Sequence, residues 1–243
     1  MRENTLDLKE IETTEIDPDK HWYYQSKAGA MLQLVNGLTF ASILDVGAGS
    51  GFFSRYILQN TAAIEATCID TGYTEERTEL TAEKKQHFCR TVACSKAQLV
   101  LMMDVIEHIE DDISFVQNYV EKCPSGTTFL VSVPAFNFLW SDHDVFLEHY
   151  RRYTIKSLRK ALKSAGLEVT HSQYFFGAVF IIPMVMRLLK KLLPTQTREA
   201  KSQMRNHSLI VNNILYLACK AEIPLMRYNK LAGLSVFCLA RKP

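Results

Sequence analysis

Leu44-Asp45-Val46-Gly47-Ala48-Gly49-Ser50-Gly51 is an apolar run that breaks into three glycines at alternate positions. Glycine has no Cβ, so such a turn lets bare main chain approach a ligand or another element closely. Upstream of the glycines, Ser42 to Val46 reads as a short buried strand. Downstream, Phe52 to Leu58 can form a helix, and Ala66 to Ile69 is a second apolar run ending on Asp70. Two further runs, Leu99 to Met103 before Asp104 and Thr128 to Val133 before Pro134, flank helical sequence from Asp112 to Cys123. This alternation predicts a parallel sheet with helices on both faces. Thr154 is a good N-cap for a helix over Ile155 to Ala165, ended by Gly166, and strands follow at Leu167 to Tyr174 and Leu234 to Ala240. About 60 residues separate these last two strands, against ~2 to 5 for a hairpin loop. A helical insertion at about 175–232 is therefore expected. Before the turn, Trp22, Tyr23, Met31, Leu32, Leu34 and Val35 recur at helical spacing as far as Gly37. Residues 1–20 are acid-rich and without a period, which predicts a flexible arm ahead of one domain over 21–243.

The net charge of +2 comes from cations spread along the chain, so no nucleic-acid partner is expected. The six cysteines form no C-x-x-C pair, which points to a reducing compartment and no metal site. The acidic N-terminus does not resemble a signal peptide, and a cytoplasmic protein is expected.

A carboxylate at the end of the second strand, here Asp70 at 19 positions past Gly51, can accept both hydroxyls of a ribose. Two ligand classes share that arrangement. A dinucleotide fingerprint needs a third glycine at the position occupied by Phe52, where it allows close packing beneath a pyrophosphate. A site for S-adenosylmethionine has no phosphate to cradle and tolerates Phe52.

The turn, Asp70 and Met103-Asp104-Val105-Ile106-Glu107-His108-Ile109 together resemble the class I S-adenosylmethionine-dependent methyltransferases, whose fourth strand often ends in D-V-x-E-H. His21-Trp22-Tyr23-Tyr24-Gln25-Ser26-Lys27 is similar to the leader of one bacterial branch, as are Val133-Pro134-Ala135-Phe136, Leu139 to Asp144 and His149 to Thr154 to its central signature. The likeness runs from residue 21 to the closing strand. It implies a Rossmann-like, doubly wound, seven-stranded sheet with its last strand antiparallel. It also implies a cofactor site formed by Tyr24, Lys27, Asp45, Gly47, Ala48, Gly49, Gly51, Asp70, Thr71, Asp104 and Val105. Lys27 is a candidate partner for the methionyl carboxylate, the alternative being a solvated helix position. One departure is the run Val92 to Lys96, which has no acid where the superfamily usually places a polar partner for adenine.

Methyl transfer is an in-line displacement, so an enzyme must align a nucleophile and exclude water. The stretch Trp140 to Tyr153 concentrates acid-base groups. His143, His149 and, from the D-V-x-E-H run, His108 are candidate bases. Trp140, Arg151, Arg152 and Tyr153 are candidate substrate contacts, the arginines through paired hydrogen bonds to a carboxylate or phosphate. The structural alternative is a network that pins a long loop. His143, Asp144, Glu148 and His149 match no standard zinc spacing, so no metal is expected. Two rival functions are an NAD-dependent oxidoreductase and a non-catalytic binding protein on this scaffold.

Tyr174 to Met186 has no charged residue but is shorter than the ~17 to 25 residues that span a bilayer. Residues 187–205 then carry six Lys or Arg against Glu199 alone. A basic amphipathic edge over 174–193 fits peripheral contact with the inner face of an anionic membrane and a lipid-linked acceptor. A helix packed over a small-molecule site, or into a dimer, is the alternative.

Overall fold

The computed structural model describes residues 16–192 and 208–243, with side chains to 186 and from 208. After helix α1 (Trp22–Val35), the chain forms β1 (Ser42–Val46), α2 (Phe52–Asn60), β2 (Glu65–Ile69), β3 (Arg77–Thr81), β4 (Lys84–Cys89) and β5 (Leu99–Met103). Helix α3 (Asp112–Lys122), β6 (Thr128–Pro134), the short α4 (Asp142–Phe146), α5 (Ile155–Ser164) and β7 (Glu168–Phe175) follow. Among the described residues, the α-helices α6 (Gly177–Leu192) and α7 (Leu209–Glu222) lie between β7 and the closing strand β8 (Ser235–Arg241).

The strand order is β3-β4-β2-β1-β5-β6-β8-β7. Strands β4, β2, β1, β5 and β6 are parallel, and β8 runs antiparallel to both neighbours. Alternate residues of the inner strands feed two cores. Leu44, Val46, Val100 and Met102 pack with Val116 and Val120 of α3 and Leu158 and Leu162 of α5. Ile43, Leu99, Leu101 and Met103 pack with α1, α2 and Cys219 of α7. Both faces are covered, which explains why these strands read as continuous apolar runs.

The sheet has eight strands, not seven. The extra edge strand β3 is polar and largely exposed, and it pairs antiparallel with β4. Its hairpin turns through Ala82 (φ 49°) and Glu83 (φ 66°), the geometry usually given to Asn-Gly. Neither the alternation nor the turn residues advertise it. Residues 1–15 of the expected arm lie outside the described residues. Ile16 is buried in the α1 side core, and Asp19 pairs with Arg55 at 2.7 Å, so packing begins before His21. Thr154 caps α5 as expected, accepting from Ser157 N at 3.1 Å.

Candidate functional site

The direction of chain travel across the sheet reverses between β1 and β5, and ligands bind at such a point outside the carboxyl ends of the strands. An open cleft of about 140 Å³ lies there. Gly47, Asp70, Thr71, Asp104, Val105 and His108 of the expected site residues line it, with Val46, Ile69, Ile109, Phe115 and Tyr119 completing the wall. Sequence reading missed Phe115 and Tyr119, because residues spaced i, i+4 on a helix otherwise read as core.

The glycine turn is required first by the protein itself. Gly47 and Gly51 have φ of +66° and +71°. A Cβ at Gly47 would stand 2.7 Å from Val105 Cγ2, and one at Gly51 would stand 2.8 Å from the Phe88 ring. Asp70 holds the turn, accepting from Gly49 N at 3.1 Å and Gly72 N at 2.8 Å. Burial raises its pKa against those two bonds. A carboxylate has about four lone-pair sites, so acceptor capacity remains toward the cleft. Asp45 does not line the cleft. It is buried and accepts from Ser54 N in the first turn of α2 at 3.2 Å. Burial lifts its pKa to about 6. Ala48, Gly49 and Gly51 belong to the turn but do not line the cleft.

At the opposite wall, Asp104 sits at φ +57°, a region that costs a non-glycine residue about 1 to 3 kcal/mol and marks functional positions. Its backbone N donates to Ser132 O at 2.8 Å. Its Oδ2 accepts from the fully buried Lys27 ammonium and from Tyr23 OH at 3.0 Å, and Lys27 Nζ also lies 3.0 Å from that hydroxyl. Lys27 is thus not a solvated helix position; in the protein its partner is Asp104. The expected Tyr24 packs 5.8 Å from Phe52 instead, and Tyr23 takes the polar position. Tyr23 and Lys27 are four residues apart and share one helix face, which Tyr24 does not. Burial and the Asp104 carboxylate push the Tyr23 hydroxyl well above the usual phenol range.

The Trp140 to Tyr153 loop resolves into a network around two buried acids. Asp144 accepts from His149 Nδ1 at 2.9 Å, Arg152 Nε at 2.6 Å and Arg152 Nη2 at 2.9 Å, and from Ser141 N and Oγ at 2.8 and 3.0 Å. Burial opposes its ionisation, but the His149 and Arg152 hydrogen bonds prevail and hold its pKa well below the usual range. Asp112 accepts from Arg151 Nη1 at 3.0 Å and Tyr153 OH at 2.6 Å. Arg151, Arg152 and Tyr153, expected as substrate contacts, thus donate to groups of the protein itself. Trp140 is half-buried and does not line the cleft.

The histidines do converge. The His108 and His149 rings meet edge to face at 4.5 Å, and His108 Nδ1 lies 2.9 Å from Leu147 O. Burial, then the His149 and His143 charges, lower the His108 pKa to about 4 despite that hydrogen bond. Of the three, only His108 reaches the cleft wall.

A family model described as a methyltransferase domain matches residues 20–172. The chain belongs to the class I methyltransferases. Its cofactor is S-adenosylmethionine, and the NAD-dependent reading is set aside. Among solved structures, the putative methyltransferase bound to the Trm112 activator of Haloferax volcanii is similar over 98% of this chain and 94% of that one, at 16% identity and TM-score 0.57. The [4+2]-cyclase SpnF matches at 14% identity and TM-score 0.56, covering 95% and 85%. The plantazolicin methyltransferase BamL, crystallised with a triazolic desmethylPZN analog and SAH, matches at 14% and 0.53, covering 97% and 88%. A search of curated proteins finds no match. At these identities the structures bear on fold alone. The cleft of this methyltransferase fits its cofactor on its own geometry, because the buried Asp104 Oδ1 has no hydrogen-bond partner among the described residues.

Proposed function

We propose that this methyltransferase acts on an amphipathic or lipid-linked acceptor that reaches the cleft along α6 and α7 at the inner face of a membrane. The observation that carries the reading is the apolar surface of these helices. Ile181, Ile182 and Met186 of α6 and Leu209, Ile210, Ile214 and Leu217 of α7 are exposed, Leu209 to 81%. Leu209–Tyr228 is long and apolar enough to cross a membrane, with mean hydropathy 1.3 and only 11% of its apolar window buried. Its inner side is nevertheless tied to the domain. Asn212 accepts from Trp22 N at 2.9 Å and donates to Lys20 O at 3.0 Å, and Glu222 accepts from Gly177 N and Ala178 N. A helix pinned along one face suits lying in the headgroup region rather than spanning. The six cations of 187–205 in the sequence would favour anionic lipid. Phe176, just before α6, stacks on Tyr23 at 5.1 Å, and Tyr23 OH donates to Asp104 of the cleft wall.

In this reading Asp70 would hold the ribose hydroxyls, Asp104 would hold the cofactor's ammonium, and Ile109, Phe115 and Tyr119 would wall the adenine in place of the missing acid. When bound, S-adenosylmethionine supplies an electrophilic methyl carbon. The chain's own part is alignment and water exclusion, with His108 the candidate histidine that faces the cleft. The six free cysteines suit the cytoplasm. A fold shared with a cyclase does not dictate the reaction, so the test reads both steps. Vesicles of phosphatidylcholine and phosphatidylglycerol should sediment the protein at low salt and release it at high salt. Ile214→Glu with Leu217→Glu should abolish this. Labelled methyl from the donor should enter a membrane-lipid extract. A protein that stays in solution, or whose apolar face closes into a dimer, refutes the membrane reading.

A further inference from the structure

We infer that Glu107, His108 and His149 form a binding site for one divalent transition-metal ion at the edge of the cleft. One ligand atom from each lies within 4.8 Å of the other two. His149 spends its Nδ1 on the Asp144 carboxylate, and His108 spends its own on the Leu147 carbonyl, both at 2.9 Å. This fixes the tautomers and leaves Nε2 of each ring as the ligand nitrogen. Carboxylate or carbonyl support at the far nitrogen is the usual outer shell of a metal-binding imidazole. Asp144 is itself locked by Arg152 and Ser141, so the His149 ring is rigidly aimed. Glu107 is fully buried, and a dication compensates the burial of its carboxylate better than a neutral imidazole does. The 3₁₀ turn Ile106–His108 places Glu107 and His108 side by side, while Tyr150 N donates to Glu107 O at 2.8 Å and brings the His149 loop against that turn. Two imidazoles and one carboxylate suit zinc, iron or manganese with a coordination position left for an oxygen donor. His108 carries the cluster into the cleft wall, so that position favours an acceptor with a hydroxyl or enol oxygen. The metal set considered from spacing alone, His143 to His149, contained only one of these three ligands.

The inference rests on the cleft being the cofactor site, and the experiment separates the two. Wild-type protein stripped with a chelator is titrated with Co²⁺, followed by calorimetry and visible absorption, and separately with S-adenosylhomocysteine. One Co²⁺ per chain is expected, weakened tenfold or more by both His149→Ala and His108→Ala. The surface variant His171→Ala should bind as the wild type does. X-ray absorption of the zinc-loaded wild type should show two imidazoles, which keeps the test decisive if a variant misfolds. No stoichiometric Co²⁺ binding, a loss under tenfold in folded variants, or a shell without two imidazoles overturns the metal site. S-adenosylhomocysteine binding without metal would then leave the cofactor site standing. Failure of both titrations would sink the cofactor reading as well.

Discussion

Asp144→Asn tests the loop network, because its cost can be worked from the bonds Asp144 accepts. Oδ1 serves His149 Nδ1 and Arg152 Nε; Oδ2 serves Ser141 N, Ser141 Oγ and Arg152 Nη2. Asparagine has one carbonyl oxygen and one amide nitrogen, which cannot accept. With the amide at the Oδ1 position, His149 and one Arg152 donor lose their acceptor; with it at Oδ2, three donors do. At least two donors are stranded either way, at about 1 to 3 kcal/mol each. Arg152 loses its counter-charge while its side chain is only 11% exposed, and breaking such a pair costs about 3 to 5 kcal/mol in total. In a chain of 243 residues, each kcal/mol lowers Tm by about 2 to 4 °C, so the expected drop is about 6 to 20 °C. Calorimetric scans at pH 7 measure it. A double-mutant cycle with Arg152→Leu should show coupling above about 1 kcal/mol. A Tm drop under about 2 °C, or additive variants, would show that the buried acid does not organise the loop.

Asp45 gives a pH test with a definite sign. Its pKa rises from 3.8 to about 6 on folding, so the folded state holds the proton more tightly, and this contribution is full below 3.8 and lost as pH rises through 6. Asp45→Asn keeps an acceptor for Ser54 N and should match wild type near pH 4 but exceed it at pH 7, by up to about 3 kcal/mol. Urea unfolding measures the gap, and a wild type that gains on the variant with rising pH would contradict the burial argument. At the cleft, Tyr23→Phe removes a hydrogen bond to a charged acceptor worth about 1.5 to 3 kcal/mol, and should weaken S-adenosylhomocysteine binding about tenfold by freeing Asp104. Tyr24→Phe should leave affinity unchanged in the same calorimetry, and the reverse result would restore the original assignment.

These two tyrosines show where sequence reading stops. The β1 strand and the start of α2 were legible to the residue, because burial on both faces writes an uninterrupted apolar run and the left-handed turn demands glycine. The edge strand β3 was not, since it is polar and largely exposed and its turn residues give no signal. Site geometry followed the same division. Asp70 and Asp104 end strands, so their placement follows from the strands. Arg152 and Tyr153 follow no strand, and their partners Asp144 and Asp112 lie 8 and 41 positions away. Spacing along the chain says nothing of whether such side chains turn inward or outward. Tyr23 was recoverable, because it stands one helical turn before Lys27 and the two share a face. Glu107 required the fold, for its companion His149 arrives from a different loop. A polar residue's role is thus readable when its own element aims it, and unreadable when a distant partner does. The loop histidines belong to the second kind, which is why their chemistry has to be tested with metal and cofactor rather than argued from the motif.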